Sequence, residues 1–290
     1  MPVPDARLGV ITDANKLFYA VSLPGETGAV KRIGSIDFSF DLTDSIASRD
    51  PDTFPGICDT LKKLIHEYEI VDVRMVIPPF FECWSIIPKS VYDDEEERSV
   101  HMNILMQGTD IRETQPLWHP LSNRDFKLLV IRRNEHIDSF VSLMNDLPEG
   151  KLYSDFEIGL CWMNHSQFHG SFLTVSSYNG ILSISSFLLG KLRAATYIKY
   201  DDINDLPYFW LQYASHLPWM QGIHDHIMVY GDHTGRIIEN LKDYWDESTD
   251  IMIMNTLEKM KLAADEDSFS FPLERAFPAV MLSVSDPCVS

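Results

Sequence analysis

The histidines are the side chains whose spacing most invites chemistry. His224 and His226 stand two residues apart, and alternate side chains on a strand point to the same side, so the pair could share a divalent cation, with His233 close behind. The fuller His-x-His-x-Asp-His order of a metallohydrolase is missing and no convincing third ligand follows, so these residues read as a polar strand entrance and no metal is expected. Cys161 lies near His165 and His169, the residue types of a nucleophile and its base. Only a thiol held against an imidazole is activated, and Cys161-Trp162-Met163 reads as core packing. The Gly-x-Ser-x-Gly elbow, the Walker A loop and the dinucleotide glycine fingerprint are absent from the sequence. No catalytic residue is assigned.

The whole-chain charge narrows the partners. Against 24 basic residues stand 43 acidic ones, a formal charge of −19 at pH 7, and such a mean field repels phosphate backbones and anionic membrane surfaces. Nucleic acid is therefore disfavoured as a partner. With 45% hydrophobic and 23% charged residues the chain has the composition of a folded domain with a substantial core. Cys58, Cys83, Cys161 and Cys288 are far apart, without a zinc clip or redox dithiol, which suits a reducing compartment. Met1-Pro2-Val3-Pro4-Asp5 lacks the basic-then-apolar order of a secretory signal, and no stretch approaches the ~18 uncharged residues of a membrane span. A cytoplasmic location without membrane insertion is expected.

The elements that would position a site follow from periodicity. Apolar runs at 8–11, 17–23 and 30–40 are separated by Thr12-Asp13-Ala14-Asn15 and Pro24-Gly25-Glu26-Thr27-Gly28, which predicts three strands and two turns. Ile57, Leu61, Leu64, Ile65 and Tyr68 predict a helix over 53–68, and a buried-type strand over 71–77 ends at Pro78-Pro79. The acidic run Asp93-Asp94-Glu95-Glu96-Glu97 reads as a solvated loop or helix start. A strand is predicted over 127–131 and a helix over 134–147. From Gly170 the opening pattern returns, with strands over 172–175, 181–188 and 192–200 and the first turn at Ser176-Ser177-Tyr178-Asn179-Gly180. An offset of 164 lays Asn15 on Asn179, an internal duplication of about half the chain rather than a solenoid repeat. Helices over 206–217 and 234–243, strands over 226–230 and 251–255, and an apolar segment over 273–284 complete the second half.

Six stretches carry a family likeness: the meander 8–40, Val71-Asp72-Val73-Arg74-Met75-Val76-Ile77-Pro78, Phe126-Lys127-Leu128-Leu129-Val130-Ile131, the meander 170–200, Ile227-Met228-Val229-Tyr230-Gly231-Asp232, and 276–282. Together they resemble the actin, Hsp70 and sugar-kinase ATPase superfamily. Within it the chain is most similar to the PilM family of type IV pilus assembly and the cytoplasmic domain of type II secretion protein L. The resemblance implies an α/β protein with mixed sheets and a duplicated, two-lobe, ribonuclease H-like architecture. One lobe would span 1–165 with a small inserted subdomain near 78–125, and the other 166–290.

In that superfamily the two meander turns clamp nucleotide phosphates, with glycine for close backbone approach and a carboxylate to hold Mg²⁺ through its water shell. The resemblance places the cleft at Thr12, Asp13 and Asn15, at Ser176, Ser177 and Asn179, and at Gly231 and Asp232. The Asp-x-Gly of the first turn falls on Ile11, Thr12 and Asp13, so an isoleucine replaces the carboxylate and an aspartate the glycine. In the second turn Ser176 and Tyr178 hold the corresponding positions, and no Asp or Glu occurs between Glu157 and Asp201. These losses remove the usual metal anchors, so hydrolysis by the superfamily mechanism is not expected. Tyr230-Gly231-Asp232-His233-Thr234-Gly235 suits an adenine-side loop, and equally an ordinary strand-to-helix turn capped by the threonine.

The function implied is a non-catalytic, actin-like scaffold of the PilM type that binds a peptide of a partner, such as the cytoplasmic tail of an inner-membrane pilus or secretion protein. Phe80-Phe81-Glu82-Cys83-Trp84 and Leu217-Pro218-Trp219-Met220 are candidates for a partner groove. The alternative is a divergent ATP-binding protein or small-molecule kinase, in which Asp13 and Asp232 face one another with Mg²⁺ between them. A third reading keeps the fold and an unrelated role.

Overall fold

The architecture was obtained as a computed structural model, described for residues 6–23, 30–106, 111–222, 224–262 and 271–287. The turn expected at 24–28, and Cys288, lie outside the described residues. The chain opens with β1 (Ala6–Asp13), β2 (Lys16–Ser22), β3 (Val30–Asp37), α1 (Leu42–Ser48), α2 (Phe54–Tyr68) and β4 (Ile70–Ile77). An excursion follows: β5 (Glu82–Pro88), α3 (Lys89–Asp93), α4 (Glu95–Met106), β6 (Thr114–Pro120) and β7 (Phe126–Arg133). The chain then returns through α5 (Asn134–Asn145), β8 (Lys151–Ser154) and α6 (Glu157–Ser166). The second half runs β9 (Phe172–Tyr178), β10 (Ile181–Leu188), β11 (Lys191–Lys199), α7 (Leu206–His216), β12 (His226–Gly231), α8 (Thr234–Leu241), β13 (Asp250–Ile253) and α9 (Leu273–Val284).

Two five-stranded sheets, β3-β2-β1-β4-β8 and β11-β10-β9-β12-β13, share one plan, an antiparallel meander extended by two parallel strands. The duplication read from the sequence is thus real, with its register one residue away from the pairing of Asn15 with Asn179. Each meander turn begins on a left-handed residue, Ala14 (φ 48°) and Asn179 (φ 51°), so Ala14 corresponds to Asn179. Backbone geometry, not the shared asparagine, sets the match.

The period of two along each strand divides its side chains between two layers. On β2, Leu17, Tyr19 and Val21 pack outward against α1, α2 and α5, while Phe18 and Ala20 face inward. On the second sheet, Leu173 and Val175 pack against α7 and α8, with Phe172 turned inward. Between the inner faces lie α6 and α9. Residues Ala276 to Leu282 of α9 are all buried, as a helix that is apolar all round must be. A side chain at Gly9 would meet the carbonyl oxygen of Ala279 at 1.9 Å, so β1 presses its backbone directly against α9. Arg74 of β4, 2% exposed, closes the C-terminal end of α9 by donating to the Ser285 carbonyl (2.9 Å) and pairing with Asp72 (2.8 Å) and Asp286 (2.5 Å).

The small sheet has the order β5-β7-β6. Its central strand is β7, past residue 125, the end expected for the insertion; the run 126–131 belongs to this sheet because it pairs with β5 on one side and β6 on the other, with Leu128 to Ile131 buried. Glu82, whose side chain is fully buried, fixes the sheet to the lobes: it accepts from Arg132 Nε (2.8 Å), Ser154 Oγ (2.8 Å) and Trp84 Nε1 (2.7 Å), and its carbonyl accepts from Tyr197 (2.9 Å). Phe81, Trp219 and Met220 are buried within the protein, and Trp84 packs edge-on to Phe156 and Tyr197, so most of the two candidate groove stretches serves internal packing. The acidic run lies exposed across the end of α3 and the start of α4.

Candidate functional site

The tips of β1 and β9, the end of β12 and the first turn of α9 converge on one cleft. Thr12, Asp13, Ser176 and Ser177 are strand residues, not turn residues as expected; the two turns consist of Ala14-Asn15 and Asn179-Gly180. Polarity suggested turns, but burial with a partner for each accounts for these residues in strands. Thr12 Oγ1 pairs with Thr43 of α1 (3.2 Å), Ser176 donates to Asp155 (2.7 Å), and Ser177 Oγ is hydrogen-bonded to the Tyr200 hydroxyl (2.6 Å). Asn15 is exposed, its carbonyl accepting from the Phe38 amide at 2.7 Å, and takes no part in the cleft.

Gly231 has φ 93°, and a Cβ there would stand 2.2 Å from the Ser177 carbonyl oxygen. Only glycine permits this crossing of β12 beside β9. The Asp232 amide then donates to the same carbonyl at 2.7 Å, which aims its carboxylate into the cleft. The threonine cap is absent: α8 follows His233, in a left-handed conformation (φ 54°), with no side-chain cap bond.

Asp13 and Asp232 do face one another, and Arg275 lies between them. Its guanidinium donates to Asp13, from Nε at 3.2 Å and in a closer contact from Nη2, and pairs with Asp232 Oδ1 from Nε at 2.8 Å. The guanidinium carbon lies 5.0 Å from the centroid of the Phe18 ring, and Tyr178 OH donates to the Arg275 carbonyl at 3.2 Å. Asp13 is 1% exposed, Arg275 21% and Asp232 25%. Burial first, then repulsion from Asp232, raises the Asp13 carboxyl to about 7 despite the arginine. The two carboxylates outweigh burial at Arg275 and hold it charged, its pKa raised.

Sequence reasoning reached Asp13, Asp232 and the β9 serines but missed two participants. Arg275 stands one residue before the stretch matched to the closing helix, and its pairing with Asp13 across 262 positions leaves no local signal. Asp155, at the end of the short β8, is fully buried beside Ser176 with its pKa raised by burial; it lines a narrow gap with Ile11, Thr12 and Tyr178.

Two open cavities flank Asn179-Gly180. One, of about 350 Å³, is lined by Ser177, Asp201, Asp202, Asp232 and Arg236; the other, of about 470 Å³, by Asp41, Asp44, Phe80, Lys199 and Asp201. Carboxylates outnumber cations in both, which opposes a polyphosphate. The residues do not fit ATP with Mg²⁺. The two carboxylates that could hold the metal are committed to a guanidinium, and the positions expected to carry Asp and Gly are the buried Ile11, Asp13, Ser176 and Tyr178.

The histidines face different partners: His224 Nε2 meets Ser186 (3.1 Å), and His226 Nδ1 meets Asp250 (3.1 Å). Cys161 is buried, its thiol raised well above the ordinary value by desolvation. Among the described residues no helix is long and apolar enough to cross a membrane.

The duplicated sheets, the interposed helices and the cleft between meander tips define an actin-like fold, and solved structures bear this out. No family model and no curated protein matches the sequence. A chain of the PilM–PilN type IV pilus biogenesis complex aligns at a TM-score of 0.67 and 12% identity, covering 98% of this chain and 98% of that one. A Bacteroides thetaiotaomicron protein described as having an actin-like ATPase fold and unknown function aligns at 0.53 and 16%, covering 87% and 91%. The cytoplasmic domain of EpsL, an inner-membrane component of the Vibrio cholerae type II secretion system, aligns at 0.52 and 7%, covering 88% and 92%. The chain has the actin-like ATPase fold.

Proposed function

We propose that this protein is a non-catalytic, actin-like scaffold, with lobes meeting near residue 165, that binds a peptide segment of a partner in bacterial pilus or secretion assembly. One observation carries the reading: Arg275 bridges Asp13 of the first lobe and Asp232 of the second. A cation supplied by the chain itself does what a nucleotide-bound metal would do in an ATP-gated relative, so the lobes are held together without a ligand. Binding to the partner is then constitutive. The likeness to a chain of the PilM–PilN complex and to the EpsL domain supports a protein partner at the inner membrane, reached from the cytoplasm. A short cytoplasmic tail bound as an extended or helical peptide is the simplest such partner.

The test is fluorescence anisotropy with labelled peptides made from the cytoplasmic tails of inner-membrane proteins encoded beside this one, with and without ATP and Mg²⁺. The reading expects one tail to bind with the same affinity in both conditions. Binding that requires ATP, or steady release of phosphate from ATP, would instead support a divergent ATPase or kinase.

A further inference from the structure

A third cavity, of about 350 Å³, lies away from the cleft, where the small sheet meets the β10–β11 turn of the second lobe. Its walls carry Lys89, Arg124, Lys127 and Lys191, and no carboxylate lines it. In a chain of charge −19 with only 24 basic residues, four of them around one hollow is a marked local reversal of field. Lys127 lies 3.9 Å from the centroid of the Tyr92 ring. Among the described residues, Lys89, Arg124 and Lys191 have no side-chain hydrogen bond or ion pair, although 43 acidic residues could have supplied one. The floor is apolar, formed by the buried Leu121, Leu160 and Leu192, and Phe126 stands 38% exposed on the rim. The Ser122 amide donates to the Leu192 carbonyl at 2.6 Å and ties the two walls together, so the hollow is preformed.

Unpaired cations above an apolar floor match a ligand with carboxylates around an apolar anchor. A phosphate alone would leave the floor unused, and a flat anionic bilayer would not enter a hollow and would be repelled by the rest of the surface. We propose that this seam receives an acidic peptide segment of a partner protein, its apolar side chain on Leu160 and Leu192 and its carboxylates on Lys89, Arg124 and Lys191. The proposal rests on the adaptor reading for the existence of a partner and adds the place and chemistry of its docking.

The experiment titrates a fluorescein-labelled Asp-Glu-Leu-Phe-Asp-Glu peptide into the wild type and into a Lys89→Glu/Arg124→Glu/Lys191→Glu variant, whose three changed side chains are exposed. A Lys-Lys-Leu-Phe-Lys-Lys peptide, an Asp-Glu-Ser-Ser-Asp-Glu peptide and phosphatidylglycerol vesicles serve as comparisons. The acidic, apolar peptide should bind the wild type alone, weaken at least about tenfold in the variant, and weaken again as salt rises. Equal binding to both proteins, equal binding of the serine peptide, or vesicle binding that the variant loses while no peptide binds would each overturn the proposal. The tails of neighbouring inner-membrane proteins, run against both proteins, separate the two readings. A tail held equally by both leaves the adaptor standing and removes the seam; if no tail binds either, the adaptor reading falls, and the acidic peptide still decides the seam. Phe126→Ser, which keeps every cation, should weaken the peptide severalfold, as an effect of charge alone would not.

Discussion

Replacing Arg275 by alanine removes the cation that pairs with both Asp13 and Asp232 and leaves two carboxylates facing each other. Breaking a fully buried ion pair costs about 3–5 kcal/mol, because the surviving charge has no compensation. The cost here is smaller for two reasons. Asp232 and Arg275 retain 25% and 21% exposure, so water screens one side. Asp13, already raised to about 7, escapes by taking up a proton. The expected loss is about 2–3 kcal/mol, which for a chain of this size lowers Tm by roughly 4–10 °C. Urea denaturation of Arg275→Ala, Asp13→Asn and the double variant measures the pairing directly: the double variant should be more stable than additivity allows, by about 1–2 kcal/mol. Because the vacated position lies between two carboxylates, millimolar Mg²⁺ should raise the Tm of Arg275→Ala and leave the wild type unmoved. A Tm change below about 1 °C, additive single effects, or equal Mg²⁺ responses would refute the claim that the arginine acts as a built-in cation.

Other substitutions probe the parts that hold this cleft. Asp13 has a folded-state pKa raised above its unfolded one, so its contribution to stability is fully present at low pH and is lost as pH climbs from about 4 to about 7. Asp13→Asn should flatten that part of the stability profile measured by urea titration. His119, lowered to about 4 by burial and Arg132, has the opposite sign: its contribution is present above its unfolded pKa and disappears as pH falls toward 4, an acid limb that His119→Phe should weaken. Gly9→Val drives a side chain into the Ala279 carbonyl and should cost at least about 3 kcal/mol, or abolish soluble expression. Glu82→Leu leaves Arg132 buried without its carboxylate, and limited proteolysis should then cut the small sheet before either lobe.

What could be read in the sequence divides along physical lines. The bounds of β10 and α9 agree with the apolar runs that predicted them, because strong hydrophobicity and local punctuation coincide there. The duplication was visible for the same reason. Other elements were not: α1 and β8 carry too few turns or alternations to show a period, and α6, buried from Ile158 through Met163, has no polar face to mark one. The serines of β9 looked like a turn because polar residues usually are exposed, whereas here Asp155 and Tyr200 satisfy them inside the protein. Asp13 and Asp232 were reached through the family likeness, but the cation between them was not. A lone arginine at the head of an apolar helix is meaningful only once α9 is known to lie between the two sheets.

The central claim is that this cleft is held by the chain's own arginine and works without nucleotide. Isothermal titration of the wild-type protein with ATP and Mg²⁺, read alongside thermal shift, tests it most directly. The account predicts no heat and no shift at millimolar nucleotide. Micromolar binding that is lost on Asp232→Ala would contradict it and show a working nucleotide cleft.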